Sequence, residues 1–293
     1  MIIDAQVHLW EADRPGRRWP GGADVPAQGA PLGADRMIAL MDECSVDRAI
    51  VVPPIWAGDD NESALDWAAV HGDRLAVMGR FDLWAPDRDR IHRWLEQPGM
   101  LGIRMSYGPE RGDSWLDPEA FRWFWTGADR LELPVMLLLQ GFRPEQAKAV
   151  GDLAAAFPRI KWIIDHLGLR KAPPGSGVQA AFEGHEHLLG LARYPNVCVK
   201  WSSLPFYSRA GFPYADLNPY LQRSLDKFGA QRIMWGSDLT RLRQIPYEQL
   251  VRHATEGLVF LSAEEREWIL GRTASTVLGW PSRSVPEPAN LGS

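Results

Sequence analysis

Eight short apolar runs recur along the chain, most of them separated by a stretch with helical periodicity. They read MIIDAQVHL, DRAIVVPPI, LAVMGRFDL, GMLGIRMSY, LPVMLLLQ, IKWIIDHLG, NVCVKWSSL and RIMWGSDL. Nearly continuous apolar strands imply burial on both faces, as in a parallel sheet covered by helices. The intervening PEQAKAVGDLAAAF carries apolar residues at helical spacing behind a leading proline. SAEEREWILGRTASTVLGW opens with Ser262 and Glu265 as an S-x-x-E capping box and closes at a glycine. Eight strands with interleaved helices in 293 residues predict an α/β fold, a single (β/α)8 TIM barrel over residues 1–280, with a polar, proline-bearing tail over 281–293. An open doubly wound sheet is the alternative, but no glycine-rich phosphate loop follows any strand.

The first run departs from this apolar monotony. Asp4, Gln6 and His8 alternate with Ile3, Ala5, Val7 and Leu9. Residues two apart share a strand face, so the pattern predicts one apolar face and one polar face directed at the barrel mouth. Two long Pro/Gly-bearing connections also interrupt the plan, at 10–34 after the first strand and at 202–219 after the seventh. Connections of that length are usually lids or binding loops.

Composition removes several functional classes. The net charge of −5 gives no electrostatic footprint for nucleic acid or an anionic membrane, and no apolar run reaches the roughly 18 residues of a membrane span. The first strand begins at Met1 and carries charge at once, unlike a signal peptide, so the expected compartment is the cytoplasm. Cys44 and Cys198 lie in apolar stretches without metal-type spacing and read as buried thiols.

Active sites of such barrels sit at the carboxyl ends of the strands. The last polar residues of the runs are therefore the candidates: Gln6 and His8 on strand one, Arg80 and Asp82 on three, Arg104 on four and Gln140 on five. Asp165 and His166 close strand six, Lys200 and Ser202 strand seven, and Asp238 strand eight. Trp10, Trp56, Trp84 and Trp201 stand at or just beyond strand ends and are placed to wall a ring-shaped substrate. Arg104 is the first choice to clamp a substrate carboxylate, ahead of Arg80, Arg241 and Arg243; its alternative is an ion pair with a barrel acid such as Asp4 or Asp82. Asp4 and Asp165 read as supporting groups, and Lys200 as the partner of an acid. His185 and His187 mimic a metal pair, but i and i+2 on a helix do not share a face, so they read as surface residues.

With these residues in view, the chain resembles the amidohydrolase superfamily. The resemblance rests on a first-strand D-x-Q-x-H-x-W in place of D-x-H-x-H-x-W, the IIDHLG of strand six, the MWGSDL of strand eight and the closing EREWILGRTASTVLGW. It is most similar to the branch of sugar lactonases, pyrone-dicarboxylate lactonases and muconolactone-type hydrolases, with aromatic-acid decarboxylases second. Three departures speak against a binuclear zinc site: Gln6 replaces the first histidine, strand four ends in GIR without the bridging lysine, and Gln140 stands where many members have histidine. His8, His166 and Asp238 remain, a set that either holds one divalent ion, zinc or manganese, or acts without metal. An amide is a poor replacement ligand, which favours the metal-free form.

The resemblance implies hydrolysis of a lactone or related cyclic ester, of the kind met in aromatic catabolism. Asp238 is the expected general base, His8 and His166 polarise the carbonyl, and Gln6 donates to the same oxygen. Two alternatives stand beside it: a metal-dependent, non-oxidative aromatic-acid decarboxylase, and an inactive binding subunit, which Gln6 favours and the intact His8 and Asp238 oppose. The expected partner is a small carboxylate-bearing ring, and the tail would suit a homodimer.

Overall fold

The computed structural model describes residues 1–12, 31–55, 59–107, 111–139, 141–169, 177–239 and 244–280. Trp56, Gln140, Arg241, Arg243 and the tail from Pro281 lie outside the described residues. The strands are β1 (Ile3–Val7), β2 (Arg48–Val51), β3 (Leu75–Arg80), β4 (Met100–Met105), β5 (Pro134–Leu137), β6 (Lys161–Ile164), β7 (Val197–Trp201) and β8 (Ile233–Trp235). All adjacent pairs from β1 to β8 run parallel in sequence order, each inside one of the eight apolar runs. The helices are α1 (Ala34–Glu43), α2 (Glu62–Val70), α3 (Arg122–Arg130), α4 (Pro144–Ala156), α5 (Val178–Ala181), α6 (His185–Leu189), α7 (Asn218–Phe228), α8 (Tyr247–Arg252), α9 (Ala263–Glu267) and α10 (Thr273–Val277). The barrel is thus a (β/α)8 fold, nearly closed. Among the described residues, no helix is long and apolar enough to cross a membrane.

Two of the local signals act as expected. Pro144 occupies the first turn of α4, where its missing N–H costs nothing. Ser262 caps α9, accepting from the Glu265 N–H while the Glu265 carboxylate accepts from the Ser262 N–H at 2.8 Å.

Apolar residues sort into two layers. Ile3, Ala5, Ile50, Val52, Met78, Met136, Ile163 and Met234 fill the barrel interior, with Leu278 and Trp280 of the closing segment packed into the same cluster. Val7, Val51, Val77, Ile103, Val135, Ile164, Val199 and Trp235 face the helices. Strand β1 belongs to both. Its pairing with β2 shifts between Asp4 and Val7, so three steps along β1 match two along β2. This bulge corrects the simple alternation expected for the first run. Ile3 and Ala5 point inward, whereas Val7 and Leu9 join the helix-facing layer. Asp4 therefore sits apart from Gln6 and His8, on the side of α8, where the Tyr247 hydroxyl donates to its Oδ2 at 3.0 Å. An extra residue that re-aims side chains is the usual effect of a bulge beside an active site.

The seam between β8 and β1 is closed by specific groups. The Asp238 N–H donates to Gln6 O at 2.9 Å, and the Ser237 N–H donates to Asp4 Oδ1 at 2.8 Å. Gly236 makes this approach possible: a Cβ there would lie 2.9 Å from the Gln6 Cβ and 3.0 Å from its nitrogen. Gly236→Ala is expected to force the seam apart and destabilise the barrel by about 1–3 kcal/mol. A urea midpoint unchanged from wild type would show that the seam has room for a methyl group.

Candidate active site

Lys200 lies inside the barrel with no exposed surface. Its Nζ donates to Ala5 O at 3.1 Å and to Gln6 Oε1, and stands 2.8 Å from Asp165 Oδ1. Its third donor contact is Met136 Sδ at 3.2 Å, so three acceptors match the three N–H bonds and Asp165 supplies the counter-charge. Asp165 in turn accepts from Arg104 Nε at 3.2 Å. Burial works against the Asp165 charge, but Lys200 and Arg104 outweigh it and hold the carboxyl below its ordinary value. The acid partner of Arg104 is thus Asp165, not Asp4 or Asp82. Arg104 Nη1 is buried and has no hydrogen-bond partner among the described residues.

Gln6 carries this network to the chemistry. With Oε1 turned to Lys200, its Nε2 stands 3.1 Å from His8 Nε2. On the opposite edge of the ring, His8 Nδ1 lies 2.7 Å from Val52 O, an acceptor only, so Nδ1 bears the proton. His8 Nε2 is then the acceptor from Gln6. Asp238 Oδ1 stands 3.3 Å from the same nitrogen and has no donor among the described residues, while the Ser203 hydroxyl donates to Oδ2. His166 completes the cluster, its Nε2 3.9 Å from Asp238 Oδ2 and its Nδ1 2.7 Å from Ser202 Oγ. The three groups singled out in strands one, six and eight therefore converge.

Electrostatics assign their charges. Burial drives the His166 imidazole down to about 4, against the pull of Asp238 and Asp165, so it is neutral at pH 7. Burial works against the Asp238 charge, but the carboxyl is held below its ordinary value and is ionised, with the Ser203 hydroxyl donating to Oδ2. His166, Ser203 and Asp238 all adopt left-handed backbone, with φ of 52°, 62° and 55°. Such conformations cost about 1–3 kcal/mol each and cluster at functional sites.

The remaining candidates divide. Arg80 pairs with Arg104 in strand register; its Nη2 donates to Ser106 O at 3.1 Å and its Nε lies 3.6 Å from Asp59. Burial, with the like charge of Arg104, lowers Arg80 to about 10. Trp84 packs edge-on against Tyr107 and Phe121, under the Arg111 guanidinium. Trp10 is buried, its backbone N–H donating to Leu32 O at 3.1 Å. Trp201 does not join the cluster: it lies in the helix-facing layer, and its indole donates to Ser224 of α7. His185 is not a surface residue either. It is buried against Phe182, with neither ring nitrogen hydrogen-bonded among the described residues. Ser203 and Val52 O were missed by residue-type reasoning; the polar pair ending WSS was the available signal.

The His8–Asp238 spacing alone would suit two ligands of a tetrahedral zinc ion, each about 2 Å from the metal. The lone pairs decide otherwise. An imidazole nitrogen has one, and that of His8 Nε2 already accepts from Gln6. Among the described residues, no group of three or more His, Cys, Asp or Glu side chains is placed to hold an ion. As folded, the set does not fit a bound metal.

The family model described as "Amidohydrolase" matches residues 3–280. An L-fucono-1,5-lactonase of Burkholderia ambifaria is 30% identical over 240 residues, covering 80% of this chain and 79% of that protein. A 4-sulfomuconolactone hydrolase of Rhizobium radiobacter is 28% identical over 204 residues, covering 69% of this chain and 64% of that protein. An amidohydrolase from Burkholderia multivorans with bound zinc superposes with a TM-score of 0.74 at 24% identity, covering 96% of this chain and all of that one.

The buried groups make stability depend on pH. His166, His185 and His253 are each lowered by burial from 6.5 to about 4. Between those values the unfolded chain binds protons that the folded chain refuses, so stability falls as pH falls. Asp4, raised by burial to about 6, and Asp59, also raised by burial, work in the opposite direction, two groups against three. The urea midpoint is therefore expected to drop steadily from pH 6.5 to pH 4. A flat or rising profile over that window would show that these imidazoles are protonated in the fold.

Proposed function

The chain belongs to the amidohydrolase family and is a hydrolase, and from that premise we propose that it opens a lactone or related cyclic ester of a small carboxylated substrate without a metal ion. The observation that carries this reading is Asp238: a buried, ionised carboxylate whose Oδ1 has no donor among the described residues, beside a neutral imidazole. Both relatives described above are named for lactone hydrolysis.

In the proposed reaction Asp238 Oδ1 takes a proton from water as the water oxygen bonds to the ester carbonyl carbon. Neutral His166, with Ser202 donating to Nδ1, presents an Nε2–H to the carbonyl oxygen as negative charge develops there. A neutral imidazole acting as electrophile needs no proton from solution. When the ring C–O bond breaks, Asp238 returns its proton to the leaving alkoxide, and the product is the hydroxy acid. His8 accepts from Gln6 and so does not polarise the carbonyl, which revises its expected part. It and Gln6 instead shape the wall against which Asp238 Oδ1 lies. Arg104, through Nη1, with Arg80 beside it, supplies the positive rim for a substrate carboxylate. A decarboxylase would need an ion to grip the carboxylate, and the capped His8 withholds that ligand.

Asp238→Asn keeps the size of the side chain and removes the base. Lactone hydrolysis, followed by acid release with a pH indicator, is expected to fall about 10²–10⁴-fold while circular dichroism stays unchanged. Near-normal turnover in a folded variant would remove Asp238 from the mechanism.

A further inference from the structure

Resting on the metal-free reading, we propose that Lys200 is a positioning residue that acts through Gln6 to set the tautomer of His8 and to close its Nε2 to metal. The argument is one of donors and acceptors. An ammonium can only donate, so the Gln6 atom facing Lys200 is the oxygen, not the amide nitrogen. An amide has one oxygen. Its NH₂ group therefore faces His8 Nε2 at 3.1 Å, and that nitrogen must present its lone pair. Val52 O takes the Nδ1 proton at 2.7 Å, in agreement from the other edge of the ring.

Turning the amide over would set its oxygen toward His8, but it would also aim an NH₂ group at an ammonium. Lys200 is held against that movement by its hydrogen bond to Ala5 O and its ion pair with Asp165. Lys200 of β7, Gln6 of β1, and Asp165 and His8 just past the ends of β6 and β1, none with more than a trace of exposed surface except His8, thus transmit one orientation from the barrel axis to the rim. In this chain the amide at position 6 performs the service of a cation, supplying positive hydrogen to the His8 lone pair.

The test reads nitrogen protonation, not turnover, so it and the lactone assay fail separately. The chain has seven histidines, and the ¹⁵N signals of His8 are assigned by their loss in His8→Asn. In the wild type at neutral pH, His8 is expected to show a protonated Nδ1 and an unprotonated Nε2. Gln6→Glu keeps an oxygen for Lys200 and offers a second one to His8, so Nε2 is expected to become protonated. Lys200→Met releases the amide, and signals of both tautomers are expected. Should Lys200→Met fail to fold, Gln6→Glu, which is nearly isosteric, carries the test alone. Zinc ions titrated into the wild type are expected to leave the His8 signals in place, and to bind at least about tenfold more tightly in Gln6→Ala. A wild-type Nε2 that is protonated, a Gln6→Glu spectrum like the wild type, a single unchanged tautomer in Lys200→Met, or stoichiometric zinc on wild-type His8 would each overturn the proposal.

Discussion

A single ammonium in the barrel interior is the constraint on which the site depends. Placing Lys200 there without water is costly unless every N–H finds an acceptor and a counter-charge lies close. Ala5 O, Gln6 Oε1 and Met136 Sδ meet the first demand and Asp165 the second, and Arg104 holds the other oxygen of Asp165. Once made, these contacts leave little freedom. Removing one partner would strand a buried charge, so the network holds each polar group to one orientation, and the orientation of Gln6 passes to His8.

The backbone pays the same attention to this corner. One extra residue in β1 turns Gln6 and His8 toward the barrel mouth while Asp4 goes to the outer side. Left-handed turns at His166, Ser203 and Asp238 end β6, β7 and β8 with side chains bent back toward a common point. Left-handed backbone occurs elsewhere too, at Ser45, Glu132 and Tyr214, but only at these three strand ends does it carry the side chains of the cluster, where geometry at a site outweighs local preference.

Much of this was legible in the residues. Apolar runs bounded by turns revealed all eight strands, because burial on both faces leaves little else for them to be. His8, His166 and Asp238 converge because strand ends of a barrel share one rim. What stayed hidden depends on where a side chain points. A bulge has no residue-type signature when its extra residue is not glycine, so Asp4 and Gln6 looked like neighbours. Trp201 ends a strand as a site residue would, but parity puts it against α7. His185 sits on the buried face of a five-residue helix too short for periodicity to reveal. The direction of an amide is invisible in a letter code; only the lysine 194 positions away resolves it.

The clamp on the eighth strand carries a further consequence for how such a barrel diversifies. Asp4 holds Ser237 and Tyr247 together, and the neighbouring peptide of Asp238 is tied to Gln6. The Asp238 carboxylate is thereby anchored through main chain and helix on one flank, independently of the connections that follow the third and fourth strands. Those outer segments carry Trp84, with Tyr107 edge-on to it and the Arg111 guanidinium over its ring, and changes among them leave the Asp4 and Gln6 ties untouched. A barrel tied in this way can alter the groups over that rim without moving the end of its eighth strand.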